Sequence, residues 1–159
     1  MVMMPKRYTY RKIAKRGKLK GVGSWSVRYG TVGLIALEEG YVSARQIEAA
    51  RRGIRRTVKR VGKLWVRVFP NHPVTKKPIE VRMGGGSGSI KCWVAVVKPG
   101  TMLFEVGGVD TSLGVVALNR GGVKMPIRTK VVVSDSIPAS SMGHGSEVVS
   151  SMAGGVPVA

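Results

Sequence analysis

The sequence predicts an α+β protein, a mixed β-sheet packed with two helices. Three observations carry that expectation. Residues 43–62, SARQIEAARRGIRRTVKRVG, repeat apolar side chains at helical spacing. The runs KLWVRVF, CWVAVV and MLFEV are short, rich in β-branched and aromatic residues, and bounded by Gly or Pro. A second, weaker helical stretch near 110–122 precedes a last strand-like run.

The first thirty residues show neither period. Lys6, Arg7, Arg11, Lys12, Lys15, Arg16, Lys18 and Lys20 fall within twenty residues that hold no acid, with Tyr8, Tyr10, Trp25 and Tyr29 interleaved or close behind. Cations hold phosphates, and aromatic faces stack on unpaired bases; single-stranded or irregular RNA offers both more readily than duplex. A solvated basic tail or a targeting presequence would share the charge. Pro5 and the lack of an apolar helical face speak against the presequence.

Ser43 opens the first helix with Gln46 three residues on, a capping-box pattern, and Gly62 is the expected stop. Ala44, Ile47, Ala50, Ile54, Val58 and Val61 form one stripe. Arg45, Arg52, Arg56, Lys59 and Arg60 take the opposite side, with Arg51 and Arg55 on its flank. The stripe needs a sheet to bury it; the basic face needs an anion. A merely solvated charged face usually mixes signs, yet Glu48 is the only acid on this helix.

Lys63–Phe69 reads as a strand, PNHPVTKKP (70–78) as an ordered loop, and Glu80–Met83 as a short extended piece. The segment RMGGGSGSIK (82–91) then places six consecutive Gly or Ser residues beyond Arg82 and Met83. Lys91–Val97 and Met102–Val106 are strands, with Lys98 to Thr101 as a hairpin turn between them. Asp110 or Thr111 caps the second helix, which runs to about Arg120 and stops at Gly121 and Gly122. Gly114, Asn119, Gly121 and Gly122 make it a poor helix former. Ile127–Val133 is the last strand. Three regions result: a basic arm over 1–30, an α+β body over 31–133, and a Ser/Gly/Val-rich extension over 134–159 that reads as a flexible tail.

Charge narrows the function. The 159 residues carry 27 Lys and Arg against 8 Asp and Glu, a formal +19, and 17 of those cations lie in residues 1–63. Such a surface repels itself unless a polyanion neutralises it, with nucleic acid the first candidate and an anionic membrane the second. No window approaches the roughly 18–20 apolar residues a bilayer span needs, and the 43–62 helix lacks aromatic anchors, so no membrane partner is expected. The lone Cys92 excludes an internal disulfide. His72 and His144 have no ligand partners at metal spacing, the acids are scattered, and MGGGSGSIK lacks the Gly-Lys-Ser/Thr end of a P-loop. No metal, cofactor, small-molecule substrate or enzymatic site is therefore expected. His72 reads as a surface loop residue and Cys92, beside Trp93, as small core packing.

Six stretches follow one another in order: MMPKRYTYRK, ARQIEAARR, GKLWVRVFPNHPVTKKPIEVRMG, WVAVVKPG, LFEVGGV and KMPIRTK. Together they resemble the bacterial-type large-subunit ribosomal protein L-sixteen family over about residues 3–133. The resemblance implies a hammerhead-like α+β fold bound to large-subunit rRNA, neighbouring ribosomal proteins, late incorporation during subunit assembly, and a loop directed at the tRNA acceptor arms beside the peptidyl transferase centre. Matched by position, it makes Lys6, Arg7, Arg11 and Lys12 an rRNA-binding start, and Arg45, Arg51, Arg52 and Arg56 an rRNA-binding helix. Arg82, Met83, Gly84 and Gly86 fall in the tRNA-proximal loop. The family pattern Arg-Met-Gly-x-Gly-Lys-Gly has Ser87 here in place of its lysine, so this loop carries one charge fewer. That change, and the extension beyond residue 133, suit an organellar ribosome, mitochondrial before plastid.

Overall fold

The computed structural model describes residues 3–8, 10–13 and 21–134. Lys15, Arg16, Lys18, Lys20, His144 and nearly all of the extension lie outside them. In chain order the elements are β1 (Val32–Ala36), β2 (Gly40–Ser43), α1 (Ala44–Thr57), β3 (Lys63–Val66), β4 (His72–Lys76), β5 (Ser89–Val97), β6 (Met102–Gly107), α2 (Thr111–Gly122) and β7 (Thr129–Val133). The α+β class is as expected, and a helix lies in each expected stretch, although α1 ends before Gly62 and α2 runs through Gly121 and Gly122. The sheet is not one mixed array but two: a four-stranded sheet in the order β3-β6-β1-β7 and a three-stranded sheet in the order β2-β5-β4. Every strand pair is antiparallel.

The division into two sheets corrects the expected hairpin at Lys98–Thr101. A turn is there, with the Thr101 N–H donating to the Lys98 carbonyl at 3.1 Å, but it carries the chain from β5 in one sheet to β6 in the other. A second crossing, from β1 to β2, runs beside it. The Ala36 N–H donates to the Thr101 carbonyl at 3.0 Å and the Gly100 N–H to the Ala36 carbonyl at 2.6 Å, which ties the two crossings together. Gly100 has φ +79, a left-handed value that glycine adopts at little cost.

Strands β1 and β2 lie where the sequence pattern points to no element. A five-residue apolar run such as VGLIA is too short for periodicity to decide between helix and strand. In the structure β1 pairs with both β6 and β7, and Val32, Leu34 and Ala36 are buried. Strand β4 replaces the expected proline loop. Pro73 cannot donate to a ladder, but β4 is an edge strand, where that loss is tolerated. His72 is accordingly not a surface residue: it is buried, its ring 6.1 Å from that of Tyr41. Residues 80–83 form no strand; the chain turns there, with the Val81 N–H directed to the Pro78 carbonyl at 3.4 Å.

The core lies between the helices and the two sheets. Helix α2 rests on β1, β6 and β7, while α1 touches β2, β5 and α2. Ile47, Ala50 and Ile54 of α1 are completely buried, as are Ala117 and Leu118 of α2. The glycines that make α2 a poor helix former are contact points. A Cβ at Gly121 would stand 2.7 Å from a side-chain carbon of Ile54, so the helices meet at a distance only glycine permits. A Cβ at Gly114 would stand 3.1 Å from a side-chain carbon of Val32, a tight contact but a looser one than at Gly121.

Candidate nucleic-acid interface

Helix α1 begins as its sequence dictates. The Ser43 side chain accepts from the Gln46 N–H, and the Gln46 side chain accepts from the Ser43 N–H at 2.8 Å, completing the capping box. With the buried stripe facing inward, Arg45, Arg52 and Arg56 are exposed, and Arg51 and Arg55 half-buried. Glu48 is the counter-charge. It accepts two bonds from Arg51, both at 2.8 Å, and one from Arg52 at 3.0 Å. The Arg51 guanidinium, above all, holds its carboxyl down to about 2. Glu48 is thus ionised at any physiological pH and fixes the direction of both arginines.

The helix does not stop at Gly62. It ends at Thr57, and Val58 is the last residue near helical geometry. The Arg60 N–H donates to the Arg55 carbonyl (3.3 Å) and the Lys59 N–H to the Arg56 carbonyl (3.4 Å), the two bonds of a Schellman ending. Val61, now beyond the helix, is 60% exposed and leaves the apolar stripe to which its spacing assigned it. Arg51, Arg52, Arg55, Arg56, Lys59 and Arg60 line one concavity of about 530 Å³. An adjoining depression of about 400 Å³ includes Arg56, Arg120 and Lys124. Arg120 and Lys124 were not legible as part of a basic surface, because nothing in the sequence says that the end of α2 meets the end of α1. Arg45 stands apart, near the other end of α1.

The expected arm is partly docked. Met3 is buried in the core, and the Tyr8 ring lies 5.3 Å from Trp93 of β5. Lys6, Arg7, Arg11 and Lys12 are all exposed. Lys12 reaches the glycine loop, where its ammonium donates to the Ser87 carbonyl at 2.8 Å. From within the loop's own stem, Lys77 donates to the Gly84 carbonyl. Gly84, Gly85 and Gly86 have φ values of +95, +65 and +77, and a Cβ on any of them would meet nothing within 4 Å. Three left-handed residues in succession demand glycine on backbone grounds alone. Arg82 and Met83 are exposed at the root of the loop, Met83 almost entirely.

Where the arm enters the body, Tyr29 lies stacked on Trp65 of β3 with ring centroids 6.1 Å apart. The Arg67 guanidinium lies over Tyr29 and the Lys63 ammonium over Trp65, 5.0 and 5.4 Å from the ring centres. Glu105 of β6, fully buried, organises this junction. One carboxylate oxygen accepts from the N–H groups of Arg28 (3.1 Å), Tyr29 (2.6 Å) and Gly30 (3.0 Å), and the other from Arg67. Burial alone would raise the Glu105 carboxyl; the three N–H groups and the Arg67 charge outweigh it and hold it below the usual carboxylate range. Tyr29 keeps 59% of its surface exposed, and Trp25 nearby in sequence 61%.

Among the described residues no group of three or more His, Cys, Asp or Glu is placed to hold a metal ion. No described helix is long and apolar enough to cross a membrane. The described residues carry instead a concavity of cations, exposed aromatic rings and a glycine loop, features suited to RNA. The sequence matches the family described as ribosomal protein L16p/L10e over residues 5–132. The chain belongs to that family. Relatives in Kosmotoga olearia, Thermosipho africanus and Erythrobacter litoralis, each called large ribosomal subunit protein uL16, are 52%, 51% and 52% identical over 133 residues. Each alignment spans 82% of this chain, and 94%, 93% and 92% of the respective relatives. Membership in the L16p/L10e family makes this a ribosomal protein and not an enzyme, and α1, the glycine loop and the arm from Pro5 onward fall within the matched stretch.

Proposed function

We propose that this protein is a structural constituent of the large ribosomal subunit, held there by large-subunit rRNA and neighbouring ribosomal proteins. The observation that carries the reading is α1. One side is buried without a polar interruption, while the other, joined by Lys59 and Arg60 just beyond the helix end, lines one concavity with six cations that a single carboxylate partly neutralises. Lys6, Arg7, Arg11 and Lys12 of the arm, with Arg45, Arg51, Arg52 and Arg56 of the helix, contact rRNA phosphates. The loop with Arg82, Met83, Gly84 and Gly86 lies near the tRNA acceptor arms. Support for that finer placement comes from its exposure and from two lysines that hold its carbonyls. The protein joins the subunit late in assembly.

An organellar setting rests on Ser87 and the extension after residue 133; the three named relatives are bacterial. Sedimentation of tagged protein through a sucrose gradient tests the main reading. Co-migration with large ribosomal particles supports it, whereas recovery only in light fractions or membrane pellets refutes it. Fractionating organelles from cytoplasm before the same gradient decides the setting.

A further inference from the structure

Lys59 and Arg60 are the two non-glycine residues with positive φ among those described, at +50 and +68. The first occupies the position after a Schellman ending that glycine usually fills, because a Cβ is strained there. The second repeats the strain immediately. Ending a helix requires neither side chain; glycine would make the same two backbone bonds at lower cost. A strained pair kept as lysine and arginine points to work done by those side chains.

Their placement shows what that work is. Beyond the end of the helix, the left-handed pair keeps both side chains on the lining of the concavity formed with Arg51, Arg52, Arg55 and Arg56. The helix C-terminus favours cations, which accounts for Arg55 and Arg56 but not for a strained backbone beyond them. The ion pairs of α1 are those of Glu48 with Arg51 and Arg52, and Arg55 donates to the Gly62 carbonyl at 3.4 Å. Six cations against one carboxylate leave an excess far above what one phosphodiester, with its single negative charge, would balance. A concave site receives a convex ligand, and a backbone that turns sharply presents neighbouring phosphates outward while their mutual repulsion rises.

We infer that the left-handed Lys59–Arg60 turn, with Arg55 and Arg56, is a built site for two backbone phosphates drawn together at a bend in RNA. The inference rests on the RNA-binding reading above and adds Arg55, Lys59 and Arg60 to its contacts. Full-length protein is titrated with large-subunit rRNA transcribed in vitro, between 50 and 200 mM KCl, and each variant is also melted without RNA. Lys59→Gly and Arg60→Gly should each weaken binding about tenfold. Each should also lower the slope of log affinity against log salt by about 1. Both should raise the thermal midpoint of the free protein by about 2–5 °C, because glycine relieves the left-handed strain. Arg60→Lys retains charge and strain and should stay near wild type on both readouts. Lys130→Ala, on β7 outside the concavity, should change affinity by less than Arg60→Gly does.

Wild-type affinity and slope in both glycine variants, or a lowered melting temperature in either, would overturn the site while leaving rRNA binding intact. Wild-type protein that binds the rRNA without salt dependence would overturn the phosphate site, and wild-type protein that does not bind it at all would overturn the RNA reading itself.

Discussion

Replacing Glu105 tests whether the junction between arm and body is organised by one buried carboxylate. In Glu105→Leu the Arg28, Tyr29 and Gly30 N–H groups and the Arg67 guanidinium lose their common acceptor. Orphaned donors cost about 1–3 kcal/mol each when water cannot reach them, which bounds the three N–H groups at about 3–9 kcal/mol. Tyr29 is more than half exposed and the Arg67 side chain keeps 22% of its surface, so several of these groups recover water on a small shift. The cost therefore falls near that of breaking a buried ion pair by removing one partner, about 3–5 kcal/mol. Glu105→Gln retains one oxygen but turns an amide NH₂ toward a donor, and should cost about half as much. Urea unfolding at pH 7 measures both. The pH dependence follows from the same carboxylate. Its folded pKa lies below the unfolded value, so its stabilisation is present in full above the ordinary glutamate range and disappears as pH falls through the lowered folded pKa. Wild type should lose stability relative to Glu105→Leu on acidification below about pH 4.3. A Leu variant within about 0.5 kcal/mol of wild type would refute the argument, because surface substitutions already reach that size.

Salt should act in opposite directions on the free and bound protein. With about 6–10 phosphate contacts, affinity for rRNA falls about 10³–10⁵-fold between 50 and 200 mM salt, while the melting temperature of the free, strongly cationic chain rises over the same range. The two faces of α1 separate by substitution: Ile54→Asp should unfold the body, costing several kcal/mol, whereas Arg52→Ala with Arg56→Ala should keep the circular dichroism of wild type and weaken RNA binding. Arg82→Ala should leave particle incorporation intact and slow tRNA accommodation on reconstituted particles by about tenfold, the effect of one lost charge-assisted bond; an unchanged rate would reduce the loop to a connection. Gly88→Ala should destabilise the β4–β5 connection, since its Cβ would stand 2.4 Å from the Lys76 carbonyl oxygen, and thermal melting reads that loss directly.

Local signals were legible where one segment carries its own reason for its shape. The capping box, buried stripe and basic face of α1 are all written in one short segment, and the structure has each of them except for Val61, which leaves the stripe. Strand β4 was not legible, because Pro73 marks a break unless one knows that His72–Lys76 lies at a sheet edge. The same blindness joined β5 and β6 into a hairpin. Lys98–Thr101 has the chemistry of a turn, and turn chemistry does not say which partner each strand will choose. Gly62 drew the helix end toward itself because glycine is the usual terminator, while the chain places Lys59 and Arg60 in that role. The contacts Lys12–Ser87 and Glu105–Tyr29 join residues 75 and 76 positions apart, a range over which no periodicity speaks.

Two glutamates divide the electrostatic task, and their positions explain how so cationic a chain folds before RNA neutralises it. Glu105 lies in the core, where its charge is consumed by four donors and ties the arm to β3 and β6. It contributes to the fold and offers nothing to a ligand. Glu48 lies at the surface and spends its charge on Arg51 and Arg52 alone. That relieves repulsion at the middle of α1 and leaves the last turn, with Arg55, Arg56, Lys59 and Arg60, unneutralised. A carboxylate one turn later would cancel the charge that the concavity gathers; one turn earlier, it would leave Arg51, Arg52 and Arg55 repelling one another beside the buried stripe. The helix thus compensates its charge internally around Arg51 and Arg52 and leaves it in excess at its C-terminal end.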